Sequence, residues 1–235
     1  MENIQTLQTN DSSLSFDNDD NSIRLVSVAS SASVYGKREE DEQKEDKKDK
    51  LIINNPLCWA AARGDLISVR ALAFDMDSNY KETTDENHPY YNMTPLVFAL
   101  INEKDAVFRY LLVEGADPNV TFTKDKITPL IYSARNRVCI VPGRKYDQRK
   151  ADYFDHVTEC LLIHQVNVNA KDANGYTALM WVFLAYNPLV GADNAKRYIK
   201  LLEDYGADRK IRNKKTGESS VDIATRLGLV HLFDL

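Results

Sequence analysis

The side chains of this sequence that could hold a metal ion lie closest together in one segment, where His156, Cys160 and His164 follow one another at intervals of four residues. Residues four apart lie on the same face of a helix, so this face would present two imidazoles and a thiol, which are ligands that zinc prefers. No carboxylate or further cysteine completes the set, and the neighbouring leucine pair indicates that Cys160 packs in a core. We therefore expect neither a metal ion nor any other cofactor.

Motifs for catalysis are also missing from the sequence. It contains no glycine-rich phosphate loop, no HExxH pair and no GxSxG turn. The three cysteines are an odd number without a CxxC pair, which is typical of reduced thiols in an intracellular protein; they are Cys58, Cys139 and Cys160. A cysteine becomes a catalytic nucleophile only beside a base, and no spacing here predicts one. We predict that the protein is not an enzyme.

Charge and hydropathy exclude further classes. Residues 1–50 contain 12 Asp and Glu but 7 Lys and Arg, so the whole formal net charge of −5 lies in this part of the chain. The neutral remainder lacks the concentrated basic surface of a general nucleic-acid binder, and we do not expect nucleic acid as a partner. No apolar run is long enough for a membrane span, and the polar, acidic start predicts no secretory signal. The expected location is the cytoplasm, with the nucleus as the alternative.

The composition divides the chain into a disordered acidic tail, 1–50, and a folded domain, 51–235. The tail has too little apolar surface to offset the entropy of ordering. Its residues 23–28, IRLVSV, are an apolar patch that either stays unbound or docks on a partner or on the domain. Residues 37–50 carry mixed charge and indicate a solvated linker rather than a bipartite nuclear signal.

The domain is built from an internal repeat. The motif NMTPLVFA at 92–99 matches KITPLIYS at 126–133 and GYTALMWV at 175–182, with weaker copies at 55–60 and 217–224. In these motifs Thr94, Thr128 and Thr177 fit helix N-caps, and Pro95 and Pro129 fit the first helical turn. Second helices are predicted at 106–113, 154–164 and 196–204. A large residue recurs one position before the alanine of each first helix. We predict that these residues form the core between repeats; the alternative is an aromatic ladder that binds a ligand. They are Trp59, Phe98, Tyr132, Trp181 and Ile223.

The repeat resembles the ankyrin repeat, whose signature is similar to the TPL motif followed by LLVEGADPN at 111–119. This resemblance implies an all-α solenoid of about five helix-turn-helix repeats joined by hairpin fingers. The spacing between Thr94 and Thr128 is 34 residues, whereas Thr128 to Thr177 is 49, so insertions are expected at 137–152 and 186–194. One departure is that Val97, Ile131 and other apolar residues replace the usual histidine of the motif.

Ankyrin repeats bind proteins through finger tips and the exposed side of each first helix, and the resemblance implies the same surface here. The positions that match it are Tyr90, Tyr91, Met93, Ile101, Asn102, Lys124, Ile127, Arg135, Asn136, Asn174, Tyr176 and Lys215. The tyrosines and Met93 are the types that form interface hot spots, although fingers also pack tyrosines against one another. The predicted partner is another protein, bound by a monomer. The expected role is an adaptor or scaffold; the alternative is a host-directed effector or an enzyme inhibitor on the same scaffold.

The insertion at 137–152 predicts a second, basic patch. It contains Arg144, Lys145, Arg149 and Lys150, and a further basic run follows at 209–215 on the last finger. Either cluster would suit an acidic protein, a phosphoinositide or a nucleic-acid backbone, and ordinary solvated loops remain the alternative.

Overall fold

The computed structural model describes residues 53–85, 87–137, 148–186, 188 and 191–233, and over these ranges the chain is all-helical without a β-strand. The predicted tail, 1–50, and the patch residues Arg144 and Lys145 lie outside the described residues. The helices are α1 (Pro56–Arg63), α2 (Leu66–Ala73), α3 (Pro95–Ile101), α4 (Asp105–Val113), α5 (Pro129–Asn136), α6 (Gln148–Ile163), α7 (Ala178–Leu184), α8 (Ala192–Asp204) and α9 (Ser220–Arg226). A 3-10 turn follows at Val230–Leu232.

Side-chain caps begin the odd-numbered helices. The predicted caps Thr94, Thr128 and Thr177 are confirmed, because each hydroxyl accepts a hydrogen bond from the backbone N–H three residues further on. Asn55 caps α1 in a similar way, and Ser219 and Asp222 form a reciprocal capping box at α9. The same local chemistry therefore starts five helices.

The helices pack in consecutive pairs. Contacts join α1 with α2, α3 with α4, α5 with α6, and α7 with α8. Helix α1 also packs against α3, α7 packs against both α5 and α9, and α4 packs against both α2 and α6. Two residues after the caps of α1, α3, α5 and α7 stands a leucine that is buried between these helices, at positions 57, 96, 130 and 179. Burying such a side chain contributes about 1.5–3 kcal/mol.

A row of hydrogen bonds joins the segments that follow the even-numbered helices. The side-chain oxygen of Asn79 accepts from the Asp117 N–H at 2.7 Å. Asn119 accepts in the same way from the Asn167 N–H at 2.7 Å, and Asn169 accepts from the Asp208 N–H at 2.9 Å. We call these three bonds the asparagine ladder. Each asparagine thus satisfies a backbone donor in the segment that follows the next even-numbered helix.

Helix α6 begins earlier than predicted. Residues 148–152, expected to be part of an inserted loop, form the first turns of α6, and α8 likewise begins at Ala192 inside the segment assigned to the insertion at 186–194. Ala151 and Phe154 are both buried, so the apolar face of α6 extends one turn towards the N-terminus from the predicted start.

Arg137, the first residue of the predicted insertion, is buried. It forms an ion pair with Asp155, and its guanidinium carbon lies 4.7 Å from the ring centroid of Tyr198.

No helix in the described ranges combines the length and the apolar character that crossing a membrane requires.

Candidate interaction surface

Three residues predicted to face a partner are instead buried. The exposed fraction is 2% for Tyr90, 5% for Met93 and 7% for Ile127. The Tyr90 ring packs edge-on against Phe98 at 5.3 Å, and Ile127 is paired through its backbone with Phe122. These side chains pack the segments between successive helix pairs, which we call fingers, against the helices. They are therefore corrected from contact residues to core residues.

The other predicted surface residues remain accessible to different extents. Lys124, Arg135 and Lys215 are exposed. The half-buried members of the set are Tyr91, Ile101, Asn102, Asn136, Asn174 and Tyr176. The surface that the sequence indicated is thus smaller than expected and more polar.

Two of these residues close their own helices. The side-chain amide of Asn102 donates to the Phe98 carbonyl at 2.8 Å, at the end of α3. At the end of α5, the amide of Asn136 donates to the Tyr132 carbonyl at 2.9 Å. Each bond satisfies a carbonyl near a helix terminus, where intrahelical partners run out. Asn102 and Asn136 therefore have a structural role in addition to any contact with a partner.

The best-defined group on this surface surrounds Trp181, and we call Arg135, Asp172, Tyr176 and Trp181 the Trp181 cluster. The Arg135 guanidinium carbon lies 4.9 Å from the centroid of the indole ring. Tyr176 meets the same ring edge to face, with centroids 5.6 Å apart. The indole N–H donates to Asp172 at 2.9 Å. The indole is therefore held by three groups from two elements.

Asp172 is the buried member of this cluster and connects its other parts through hydrogen bonds. Its second carboxylate oxygen accepts hydrogen bonds from the backbone N–H groups of Asn174 and Tyr176, both at 2.9 Å. The carboxylate is buried and thus fixes the finger and the indole together. An indole, a tyrosine ring and a guanidinium in fixed positions suit recognition of another protein, because such rigid groups lose little entropy on binding.

Only part of this cluster was predictable from the sequence. Arg135 and Tyr176 were predicted as contact residues, whereas Trp181 was assigned to the inter-repeat core. In that column Phe98 and Ile223 are buried as predicted, but Trp59, Tyr132 and Trp181 are half-buried. Trp59 also has an arginine over its ring, because the Arg63 guanidinium carbon lies 4.4 Å from the ring centroid. The signal in the sequence that could have indicated this is that Arg63 and Arg135 lie at the ends of α1 and α5, where each meets a tryptophan ring.

Neighbouring finger tips are linked by hydrogen bonds. The Lys124 ammonium donates to Asn87 at 3.0 Å, and the Ala173 N–H donates to the Asp125 carbonyl at 2.7 Å. The Lys171 ammonium donates to the Arg212 carbonyl at 3.1 Å in the last finger. The tips are therefore joined into one surface rather than standing as separate loops.

The described part of the second, basic patch lies on a helix and is partly neutralised. Lys150 is 3.4 Å from the Glu103 carboxylate and 5.9 Å from the Phe154 ring centroid. Arg149 is exposed on the same helix. Because Lys150 already has an anionic partner, it contributes less positive potential than a solvated loop residue would.

In the last finger the arginines of the basic run are bound internally. Arg209 pairs with Glu203, which raises the pKa of the guanidinium, and stacks 4.3 Å from the Phe233 ring. Arg212 pairs with Asp222 at 3.0 Å. Three lysines of this run stay exposed, at positions 210, 214 and 215. The accessible positive charge here therefore comes from these lysines and from Arg212, which is exposed although it is paired.

The three residues considered as metal ligands have other partners. His156 Nδ1 lies 2.9 Å from Asp105 on α4, and its Nε2 lies 3.7 Å from the Cys160 sulfur. His164 Nδ1 is 2.8 Å from the Cys160 carbonyl. Burial and the nearby Asp105 raise the pKa of the Cys160 thiol. Among the residues that the structure describes, no group of three His, Cys, Asp or Glu side chains is placed to hold a metal ion.

No protein-family model matches this sequence.

Proposed function

We propose that this chain is a non-catalytic repeat protein of the ankyrin type that binds a partner protein through the Trp181 cluster and the adjoining finger tips. The single observation that carries the proposal is the fixed Trp181 cluster, in which an exposed arginine lies over a half-buried indole at the junction of two helix pairs. The role is that of an adaptor or scaffold.

Three features support the repeat architecture. Equivalent caps start the first helix of each pair, equivalent leucines are buried behind them, and the asparagine ladder joins successive segments after the second helices. A helix pair cannot bury its own apolar face, so stacking of pairs is the arrangement that removes this surface from water.

The chemistry of the cluster indicates what kind of partner it suits. Tryptophan, tyrosine and arginine are the residue types that dominate protein-interface energetics. Arg135 is exposed, and Lys124 and Lys215 lie exposed on neighbouring fingers. A segment that presents a carboxylate to Arg135 and an apolar side chain to Tyr176 and Trp181 would complement this surface.

The test is capture of partners from a cell lysate by the full chain and by the double variant Arg135→Ala/Tyr176→Ala. Removing two hot-spot side chains is expected to weaken binding by about 2 kcal/mol or more, which is roughly thirtyfold. A partner that the wild type retains and the variant loses would then be purified, and its affinity measured by calorimetry.

The matched control is Arg109→Ala/Tyr205→Ala, which removes the same residue types from the second helices and leaves the Trp181 cluster intact. Circular dichroism must show that both variants are folded. A partner that is lost from the control and kept by the site variant would place binding on the second helices and contradict the proposal.

A further inference from the structure

Three large apolar side chains are exposed at the C-terminal ends of successive second helices. Phe74 directly follows α2, Val113 is the last residue of α4, and Ile163 is the last residue of α6. Their exposed fractions are 92%, 73% and 65%. We call these residues the outer row. The row lies on the second helices, whereas the Trp181 cluster involves α5 and α7.

The helices that carry the outer row pack against one another. Helix α4 packs against both α2 and α6, so the row runs across three neighbouring helices. Just beyond the row, the asparagine ladder ties the segment after α2 to the segment after α4, and that one to the segment after α6. Packed helices lie about 8–10 Å apart, so the row is roughly 20 Å long. Single exposed apolar residues are ordinary on a protein surface, but large exposed apolar residues at the ends of three adjacent helices are not.

The N-terminal part of the chain enters the fold at the same edge. The backbone N–H groups of Asn54 and Asn55 both donate to the carboxylate of Glu82, which is buried eight residues after Phe74. Because α1 and α2 form a helix pair joined by a short turn, the start of α1 and the end of α2 lie at the same end of that pair. Ile53, the first described residue, therefore lies towards the same end of this helix pair as Phe74.

Residues 1–52 contain one segment that matches the row. In IRLVSV, residues 23–28, four of six side chains are large and apolar. Six residues of extended chain measure about 20 Å, which is the length of the row. The 24 residues between this segment and Ile53 reach at most about 80 Å, so the whole row is within range.

The charges beside the row complement the segment. Asp75 follows Phe74 and Glu114 follows Val113, and both are exposed. Arg24 is the single charged residue of the segment and stands between two of its apolar residues. A segment lying along the row would bring Arg24 towards these carboxylates while its apolar side chains cover Phe74, Val113 and Ile163.

We infer that residues 23–28 dock on the outer row within the same chain. A tether of this length gives the segment an effective concentration in the millimolar range, so even weak apolar contacts suffice to keep it bound. The docked segment covers an apolar surface that would otherwise favour self-association. This inference does not depend on the Trp181 cluster or on the proposed partner.

The experiment is limited trypsin digestion of the full chain, followed by intact mass. Docking shields the bond after Arg24, while the bonds after Lys37 and Arg38 lie outside the docked segment. The quantity measured is the initial rate at which the fragment 25–235 appears, divided by the rate for fragments 38–235 and 39–235. In the variant Val113→Gln/Ile163→Gln this ratio is expected to rise at least about threefold, because the site is removed and only exposed side chains are changed.

The control is Ile67→Gln/Val221→Gln, which removes two exposed apolar side chains outside the row and should leave the ratio unchanged. An equal ratio in the wild type and the row variant would overturn the inference. So would sedimentation showing a wild-type dimer that the row variant abolishes, because a second copy of the chain would then cover the row. A ratio that rises equally in the control would also overturn it, since the effect would not be specific to the row.

Discussion

Single backbone positions decide how the second helices end. Gly115 and Gly206 follow α4 and α8 with φ of 87° and 90°, and at the corresponding position after α6 Gln165 adopts φ of 59°. In each case the next residue's N–H closes on the carbonyl of a leucine in the last helical turn; the bonds are Ala116–Leu111 at 2.9 Å, Val166–Leu161 at 3.3 Å and Ala207–Leu202 at 2.9 Å. The left-handed region is open to glycine but strains a residue with a side chain. The strain at Gln165 is therefore not shared by the other two helix ends.

We predict that Gln165→Gly stabilises the protein by about 0.5–1 kcal/mol. The strain of a left-handed glutamine, about 1–2 kcal/mol, is removed, and the greater freedom of glycine in the unfolded chain offsets part of the gain. Gln165 is exposed, so no packing is lost. The measurement is the free energy of unfolding in urea.

The reverse change provides the control. An added Cβ at Gly115 would meet nothing within 4 Å, so Gly115→Ala tests the backbone alone. It should destabilise by about 1 kcal/mol. If both substitutions left the unfolding free energy unchanged, helix termination at these sites would not depend on the left-handed residue.

Residue type alone could not separate contact residues from core at the fingers. Tyr91 and Tyr176 stay at the surface, whereas Tyr90 is buried against Phe98. Adjacent tyrosines look the same in the sequence, but in the fold Tyr91 forms a backbone bridge with Thr83 while the Tyr90 ring packs inward. Likewise the bond of Asp172 to the Trp181 indole could not be read from the sequence, although its bonds to the Asn174 and Tyr176 N–H groups belong to a local turn.

At the scale of whole elements, the second helices start with unequal caps. The Asp65 carboxylate accepts hydrogen bonds from the Ser68 hydroxyl and from the Ser68 N–H at the start of α2, and these bonds lower the pKa of Asp65. Lys104 occupies the corresponding position before α4 and makes no side-chain capping bond. An ammonium group cannot accept a hydrogen bond and is unfavourable at the positive end of the helix dipole. Helix α4 is therefore the less well capped of the two.

We predict that Lys104→Asp stabilises the protein by about 1 kcal/mol. The new carboxylate would accept a hydrogen bond from the first turn of α4 and interact favourably with the helix dipole. The matched control is Asp65→Ala, which should cost about 1 kcal/mol at α2. Thermal unfolding at neutral pH measures both. Destabilisation by Lys104→Asp would show that the contact of the Lys104 side chain with Gly64 matters more than the missing cap.

Helix type and caps were predictable from the sequence, but helix length was not. The TPL motifs predicted where the first helix of each pair begins, because the cap, the proline and the leucine all act within one helical turn. The start of α6 was predicted six residues late, because the polar residues around Ala151 hide the apolar stripe that continues from Phe154. That stripe becomes apparent only once the packing of α5 against α6 is known.

At the scale of the whole molecule, stability depends on coupling between neighbouring helix pairs. A stack of units gains stability from the interfaces between neighbours, so weakening one internal interface reduces cooperativity. The asparagine ladder is one such coupling, and its central member is Asn119, which accepts from the Asn167 N–H. The spacing of the motifs predicted the insertion that separates Asn119 from Asn167 in the sequence. It could not predict that a hydrogen bond joins these two residues across 48 positions.

We predict that Asn119→Ala destabilises the protein by about 1 kcal/mol and lowers the urea m-value. One hydrogen bond is lost, and the N- and C-terminal parts of the stack then unfold less cooperatively. The control is Asn87→Ala, which removes another exposed finger asparagine, whose side chain accepts from the Lys124 ammonium. It should change the unfolding free energy by less than about 0.5 kcal/mol and leave the m-value unchanged. If the two variants behaved alike, the ladder would not couple the units, and cooperativity would have to arise from the buried leucines between the first helices.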